Sequence, residues 1–79
     1  MEQIVSIPTE QVVMAFVATC IEATASTLGV DYSVVFSKMQ RLEMIEKYIY
    51  PNYETLHRES RENLIKDIIG YIEMREGRL

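Results

Sequence analysis

The chain has 79 residues, of which 48% are apolar, a formal net charge of −4 and a single cysteine. This length allows one domain with a small core, and a lone cysteine excludes an intramolecular disulfide. The longest strictly apolar run, Val12 to Ala18, is far shorter than the roughly 20 residues that span a bilayer, and the first residues lack the features of a signal peptide. We therefore expect one domain over residues 1–79, with an ordered core of about residues 8–75, in a soluble cytoplasmic protein that does not bind membranes.

The charges are distributed unevenly. The first 37 residues contain four acidic residues and no lysine or arginine, whereas the remainder contains eight residues of each sign. Nucleic-acid binding needs clustered basic residues that neutralise phosphates, and no such cluster is visible, so the pattern argues against it. The apolar content is high for so short a chain, which indicates that a partner or a second copy covers part of the surface.

The first predicted helix begins near Pro8 and ends at Gly29, because proline suits a first helical turn and glycine suits the residue after a helix. Its apolar positions recur at spacings of three and four and form one stripe. The stripe contains Val13, Phe16, Val17, Cys20, Ile21, Thr24 and Leu28. Further apolar residues widen it beyond half of the circumference. The helix is therefore predicted to be central in the bundle or to pack also at an oligomer interface, and we favour a homodimer through it.

Four shorter elements are predicted after Gly29. Asp31 is the expected cap of a second helix, and a third short helix is expected after a bend near Leu42. Pro51 ends that helix by the preceding residue. Asn52 is then the expected cap of one or two further turns.

Ser60 is the expected cap of the last helix. Its apolar stripe consists of Leu64, Ile65, Ile68, Ile69 and Ile72. Gly70 interrupts the stripe at a cost of about 1 kcal/mol relative to alanine, and a close helix crossing would explain it. The sequence thus predicts an all-α fold, a compact bundle of four to five short helices with no sheet.

Cys20, His57 and Asp67 are residue types that serve as thiol nucleophile, base and orienting group. A cysteine on an apolar helix stripe is usually an inert hydrophobe, however, and Asp67 falls on a polar helix edge. The chain also lacks the spacing of metal ligands, and its scattered glycines cannot form a phosphate loop. We therefore expect a non-catalytic protein with no cofactor or metal.

His57, the only histidine, lies near the end of the predicted short helix. Tyr53, Leu56 and His57 share one face of that helix, at spacings of three and four. In the structural interpretation His57 donates to a terminal carbonyl or meets the negative end of the helix dipole, and in the other it contacts a ligand or partner. Tyrosines are frequent in binding surfaces. We predict that Tyr53, Leu56, His57 and Asp67 form or support a partner-binding face.

Four patterns follow one another in a characteristic order. They are F-V-x-x-C-I-E from Phe16 to Glu22, G-V-x-x-x-x-V-F-x-x-M from Gly29 to Met39, Tyr-x-x-Leu-His from Tyr53 to His57, and D-I-x-x-Y-I from Asp67 to Ile72. Over about residues 12–73 the chain resembles a family of short bacterial domains of unknown function.

Members of that family are often encoded beside an ADP-ribosyltransferase-like protein. The resemblance implies that the chain is a non-catalytic partner protein, the antitoxin-like or regulatory member of a paired module. Pro51 and Asn52 depart from the family pattern, which runs more smoothly into the Tyr-x-x-Leu-His element.

Two functions follow as hypotheses. The first is a helical interaction module that binds a partner protein, with the product of a neighbouring gene as the expected partner. The alternative is a small dimeric DNA-binding transcriptional regulator, in which the second and third helices mimic a helix-turn-helix and Lys38, Arg41 and Lys47 face phosphates. The interleaved Glu43 and Glu46 argue against this alternative.

Overall fold

The computed structural model describes residues 9–76, which are helical apart from short connections. The elements are α1 (Thr9–Leu28), α2 (Tyr32–Arg41), a π-helical segment (Ile45–Ile49), α3 (Tyr53–Leu56) and α4 (Arg61–Glu76). This part of the chain contains no strand. The predicted all-α bundle of four to five short helices is confirmed. The expected helix start near Pro8 lies outside the described residues.

Helix α1 lies at the centre of the bundle. It contacts α2, α4 and the π-helical segment. Its buried side chains are Val13, Val17, Cys20, Ile21, Ala23, Thr24 and Ala25. The other elements complete the core with Val35, Met39, Met44, Ile49, Leu56, Leu64, Ile68 and Ile72. Of the two placements predicted for this helix, the structure shows the central one, while a homodimer through it stays a prediction.

The first connection follows the predicted signals. Gly29 has a φ of 71°, and the N–H of Val30 donates to the carbonyl of Ala25 at 3.1 Å, which is the hydrogen bond of a Schellman motif. Helix α2 then begins at once, because the Asp31 carboxylate accepts from the N–H of Ser33 at 3.0 Å. The short, capped connection turns α2 back against α1.

The two later caps differ from each other. Ser60 caps α4 as predicted, since its Oγ accepts from the N–H of Asn63 at 3.2 Å. Asn52 occupies the N-cap position of α3 as predicted, but among the described residues its side chain makes no capping hydrogen bond. The Asn52 amide instead donates backwards to the carbonyl of Tyr48 at 2.7 Å. It thereby satisfies an acceptor at the end of the preceding element rather than a donor of its own helix.

The bend predicted near Leu42 occurs at Glu43, which has a φ of 54° although it is not glycine. The helix predicted after the bend is a π-helix, in which the N–H of Tyr50 donates to the carbonyl of Ile45 at 2.9 Å. The wider turn has a packing reason. Met44 and Ile49 are five residues apart and both are fully buried, and the i to i+5 spacing brings them to one side.

One carboxylate joins the ends of α2 and α4. Arg41 Nε donates to Glu76 Oε2 at 2.7 Å, Arg41 Nη2 donates to Oε1 at 3.1 Å, and Lys38 Nζ donates to Oε1 at 3.3 Å. Such bidentate, charge-assisted contacts are stronger than ordinary surface ion pairs. Helix α4 is thus held to α2 by polar contacts in addition to the apolar core.

By length and composition alone, the Glu10–Leu28 part of α1 could cross a membrane. However, 39% of that window is buried inside the bundle. A central core helix passes the same test of apolarity because it packs against several elements at once. The packing is therefore compatible with a soluble protein.

Two methionines test the position of the core. Met39 of α2 is 0% exposed, whereas Met74 of α4 is 84% exposed. We expect Met39→Ala to lower the free energy of unfolding by about 2–5 kcal/mol, because it leaves a cavity. The matched change Met74→Ala is expected to alter it by less than about 0.5 kcal/mol. Urea denaturation followed by circular dichroism measures both, and equal losses would contradict the described packing.

The contacts of Glu76 predict a pH dependence of stability. The hydrogen bond from Arg41, aided by Lys38, lowers the pKa of Glu76 below its ordinary value of 4.5. Since the pKa is lower in the folded state, the stabilisation is complete above pH 4.5 and is lost as the pH falls through the folded-state pKa. We expect Glu76→Gln to destabilise the protein at neutral pH, and the difference from wild type to shrink on acidification. Thermal melts over this pH range measure it, with the exposed Glu73→Gln as control.

Candidate functional site

Thiol chemistry by Cys20, His57 and Asp67 would require an accessible cysteine, which the structure does not provide. Cys20 is fully buried in the core, and burial raises the pKa of its thiol to about 12. A thiol in this environment has almost no thiolate at neutral pH. Within residues 9–76, no group of three or more metal-ligating side chains comes together.

The predicted face on α3 contains an aromatic stack. The rings of Tyr53 and His57 are 4.6 Å apart and nearly parallel, at 10°, and Phe16 of α1 meets Tyr53 edge-on at 5.3 Å. Leu56 is only 3% exposed, so it anchors the face from below and does not form its surface. His57 is exposed, and its Nε2 lies 3.6 Å from Oε1 of Glu54. We call Tyr53 and His57 the α3 face.

His57 lies at the end of α3, where its imidazole was expected to donate to a terminal carbonyl or to meet the negative end of the helix dipole. Its backbone N–H donates to the carbonyl of Tyr53 at 2.9 Å. In the part of the chain that the structure describes, its imidazole makes no hydrogen bond to a carbonyl. The ring is positioned by stacking and by the nearby carboxylate, and it remains accessible to a ligand.

Asp67 belongs to a second surface. Its carboxyl group hydrogen-bonds with that of Glu59, which raises the pKa of Glu59 above its ordinary value. Tyr48 is close to both groups: burial, then the charges of Asp67 and Glu59, raise the pKa of its phenol. Asp67 therefore interacts with another acid, Glu59, and lies apart from Tyr53 and His57.

An open groove of about 600 Å³ runs between the π-helical segment and α4. We call it the tyrosine groove. Its lining consists of Lys47, Tyr48, Lys66, Asp67, Gly70, Tyr71, Met74 and Arg75. Tyr48 and Tyr71 stack with their ring centres 4.4 Å apart, and the Arg75 guanidinium lies 3.6 Å above the Tyr71 ring. Arg75 Nη1 also donates to the Tyr71 carbonyl at 3.3 Å, which holds the cation in place.

The cations of the tyrosine groove differ in their pairing. Lys47 contacts Glu43 at 2.9 Å. Among the carboxylates of residues 9–76, none lies within ion-pair distance of Lys66 or Arg75. These two positive charges are therefore available to a negatively charged ligand.

Gly70 lies in the lining of the same groove, so the close helix crossing suggested for it is wrong. A methyl group added at this position would meet nothing within 4 Å. The glycine leaves open space in the groove instead of allowing two backbones to approach. The sequence carries no local signal that Tyr48 and Tyr71 stack, because the two residues are 23 positions apart on different elements.

A second groove of about 380 Å³ lies between the start of α1 and the π-helical segment. Its lining combines apolar side chains with two glutamates and consists of Glu10, Gln11, Met14, Ile45, Glu46 and Tyr50. We call it the acidic groove. The two grooves flank the π-helical segment and have opposite charge.

The fold and these surfaces define a small all-α domain with preorganised aromatic pairs at its surface. A family model described as "Protein of unknown function (DUF3791)" matches residues 15–75. The chain belongs to this family, which confirms the resemblance to a family of domains of unknown function. No curated protein and no solved structure matches the chain significantly.

The burial of Cys20 predicts slow thiol chemistry. In the native protein we expect alkylation by iodoacetamide at neutral pH to be slower than that of the denatured chain by a factor of at least about 100, because the thiol is enclosed and un-ionised. Mass spectrometry of quenched time points measures the modification. Equal rates for the native and the denatured chain would contradict the buried position.

Proposed function

We propose that the chain is a non-catalytic helical module that acts in the cytoplasm by binding a partner protein. One observation supports this function best: two stacked aromatic pairs, Tyr48 with Tyr71 and Tyr53 with His57, lie outside the buried core. Tyrosine is enriched at binding hot spots because it combines a large apolar face with a hydroxyl group.

The packing of these pairs reduces the cost of binding. Each ring of a stacked pair has lost part of its rotamer freedom before a partner arrives, so less entropy is lost on association. The α3 face gains further rigidity from Leu56 below it and from Phe16 beside it. In the proposed complex Tyr53 and His57 contact the partner, Leu56 supports them, and Asp67 contributes from the tyrosine groove.

The resemblance described for the Tyr-x-x-Leu-His element suggests where to find the partner. It implies a protein encoded by a neighbouring gene, such as an ADP-ribosyltransferase-like protein. The chain would then be the antitoxin-like or regulatory member of a bacterial pair. A homodimer through α1 is compatible with this function, since the α3 face and the tyrosine groove involve other elements.

The alternative, a dimeric DNA-binding regulator, receives less support from the charges. Lys38 and Arg41, which were to face phosphates, both pair with Glu76 at 3.3 and 2.7 Å. Lys47 pairs with Glu43 at 2.9 Å. Binding phosphates with these side chains would require the ion pairs to open, which lowers the net gain.

Co-expression with the products of the neighbouring genes tests the proposal. We expect one of them to co-elute with the chain in size-exclusion chromatography after affinity purification of either protein. If neither neighbour forms a complex when both proteins are soluble, the paired-module function is wrong.

The role of the α3 face is tested in that complex with His57→Ala. We expect the dissociation constant to rise roughly threefold to tenfold, because the change removes an aromatic contact with the partner that is worth about 0.5–1.5 kcal/mol. The exposed neighbour Thr55→Ala is the matched control and should have no effect. Isothermal titration calorimetry measures both variants, with thermal melts to correct for any loss of folding. Unchanged affinity of His57→Ala would place the contact elsewhere.

A further inference from the structure

We infer that the tyrosine groove binds an acidic segment of a partner protein, one in which aspartate or glutamate residues flank an apolar side chain. This inference rests on the proposed function, since it supposes a protein partner, and it adds the chemistry that the partner must present.

The charges of the groove favour an anionic ligand. The groove collects three of the eight lysine and arginine residues on a chain with a net charge of −4. Lys66 and Arg75 have no carboxylate partner among the described residues. The Arg75 guanidinium is already positioned by the ring and carbonyl of Tyr71. Little side-chain entropy is therefore lost when a carboxylate binds Arg75.

The rest of the lining is apolar and open. Met74 is 84% exposed, and the stacked Tyr48 and Tyr71 line the groove beside it. At Gly70 the absence of a side chain leaves space that no neighbour among residues 9–76 fills. An apolar side chain of the bound segment can occupy this space, because methionine and tyrosine adapt well to such contacts.

Single-stranded nucleic acid is the competing anionic ligand, and the ring geometry disfavours it. Proteins of that class stack bases on free aromatic faces. Tyr48 covers one face of Tyr71 at 4.4 Å, and Arg75 covers the other at 3.6 Å. The Asp67 carboxyl group also lies in the lining, where it would repel a continuous phosphate backbone. Separated carboxylates on a peptide can avoid it.

A second copy of the chain could in principle offer its acidic groove. The two grooves use different residues of the π-helical segment: Ile45, Glu46 and Tyr50 line the acidic groove, while Lys47 and Tyr48 line the tyrosine groove. They adjoin different helices, α1 and α4. Contacts between such different surfaces would join copies head to tail, an arrangement that closes into a dimer only in special geometries.

Nuclear magnetic resonance titration of the ¹⁵N-labelled full chain tests the inference. The probes are a synthetic peptide of alternating glutamate and leucine, the same peptide with lysine in place of glutamate, and a single-stranded oligothymidylate. We expect the acidic peptide to shift the amide signals of the π-helical segment and of α4 around Gly70. The lysine peptide and the oligonucleotide should leave them in place.

Charge-matched variants locate the interaction. Lys66→Glu should weaken binding of the acidic peptide roughly tenfold, since it turns an attraction in the groove into a repulsion. Arg61→Glu lies on the same helix outside the lining, changes the net charge equally and should weaken binding less than about twofold. Met74→Ala, which removes an exposed apolar contact, should weaken binding roughly threefold.

Three results would overturn the inference: no shifts with the acidic peptide, equal effects of Lys66→Glu and Arg61→Glu, or preferential binding of the oligonucleotide. Concentration-dependent shifts in both grooves without any peptide would show instead that a second copy occupies the site. The outcome is independent of the co-expression result. If a partner protein binds the Lys66→Glu variant as tightly as wild type, the inference that it binds in the tyrosine groove is wrong, but the proposed function is not affected.

Discussion

Burial of the broad apolar face of α1 is the constraint on which the other elements depend. Helix α3 has four residues and the π-helical segment has five, and segments this short do not form stable helices alone in water. They persist because Leu56 and Ile49 complete a core that α1 begins with Val13, Val17 and Ile21. The order of the whole middle of the chain is therefore a tertiary effect, supported by a helix that precedes it.

The tyrosine groove forms because of the way in which the π-helical segment packs into this core. The segment buries Met44 and Ile49 together by adopting the wider turn. Glu46 and Lys47 are exposed, whereas Tyr48 packs against the core and meets Tyr71 of α4. The ion pairs of Glu76 with Lys38 and Arg41 hold the end of α4 against α2. The packing of the core therefore also determines the position of the basic and aromatic residues of the tyrosine groove.

The residues that could serve an enzyme are inaccessible or engaged, whereas the residues that suit binding are at least partly exposed. The thiol of Cys20 is enclosed and un-ionised, and the Asp67 carboxyl group pairs with Glu59. The α3 face and the tyrosine groove instead present aromatic rings, a histidine and the cations Lys66 and Arg75. Such groups recognise a surface by shape and charge, which is the physical basis for proposing a partner protein.

Local signals in the sequence were sufficient for much of the architecture. Periodicity predicted the apolar stripes of α1 and α4, and the chemistry of Gly29, Asp31 and Ser60 predicted how helices end or begin. These predictions succeeded because each depends on residues within a turn or two of one another.

Other features depended on contacts between distant parts of the chain. The left-handed Glu43 and the π-helical turn have no local residue signature, because they accompany the burial of Met44 and Ile49 in the core. The same is true of the site. Composition revealed five tyrosines and one histidine. Only the packing of α4 against the π-helical segment decided that two of the tyrosines stack in a groove with Arg75 and Lys66, neither of which has a carboxylate partner within residues 9–76.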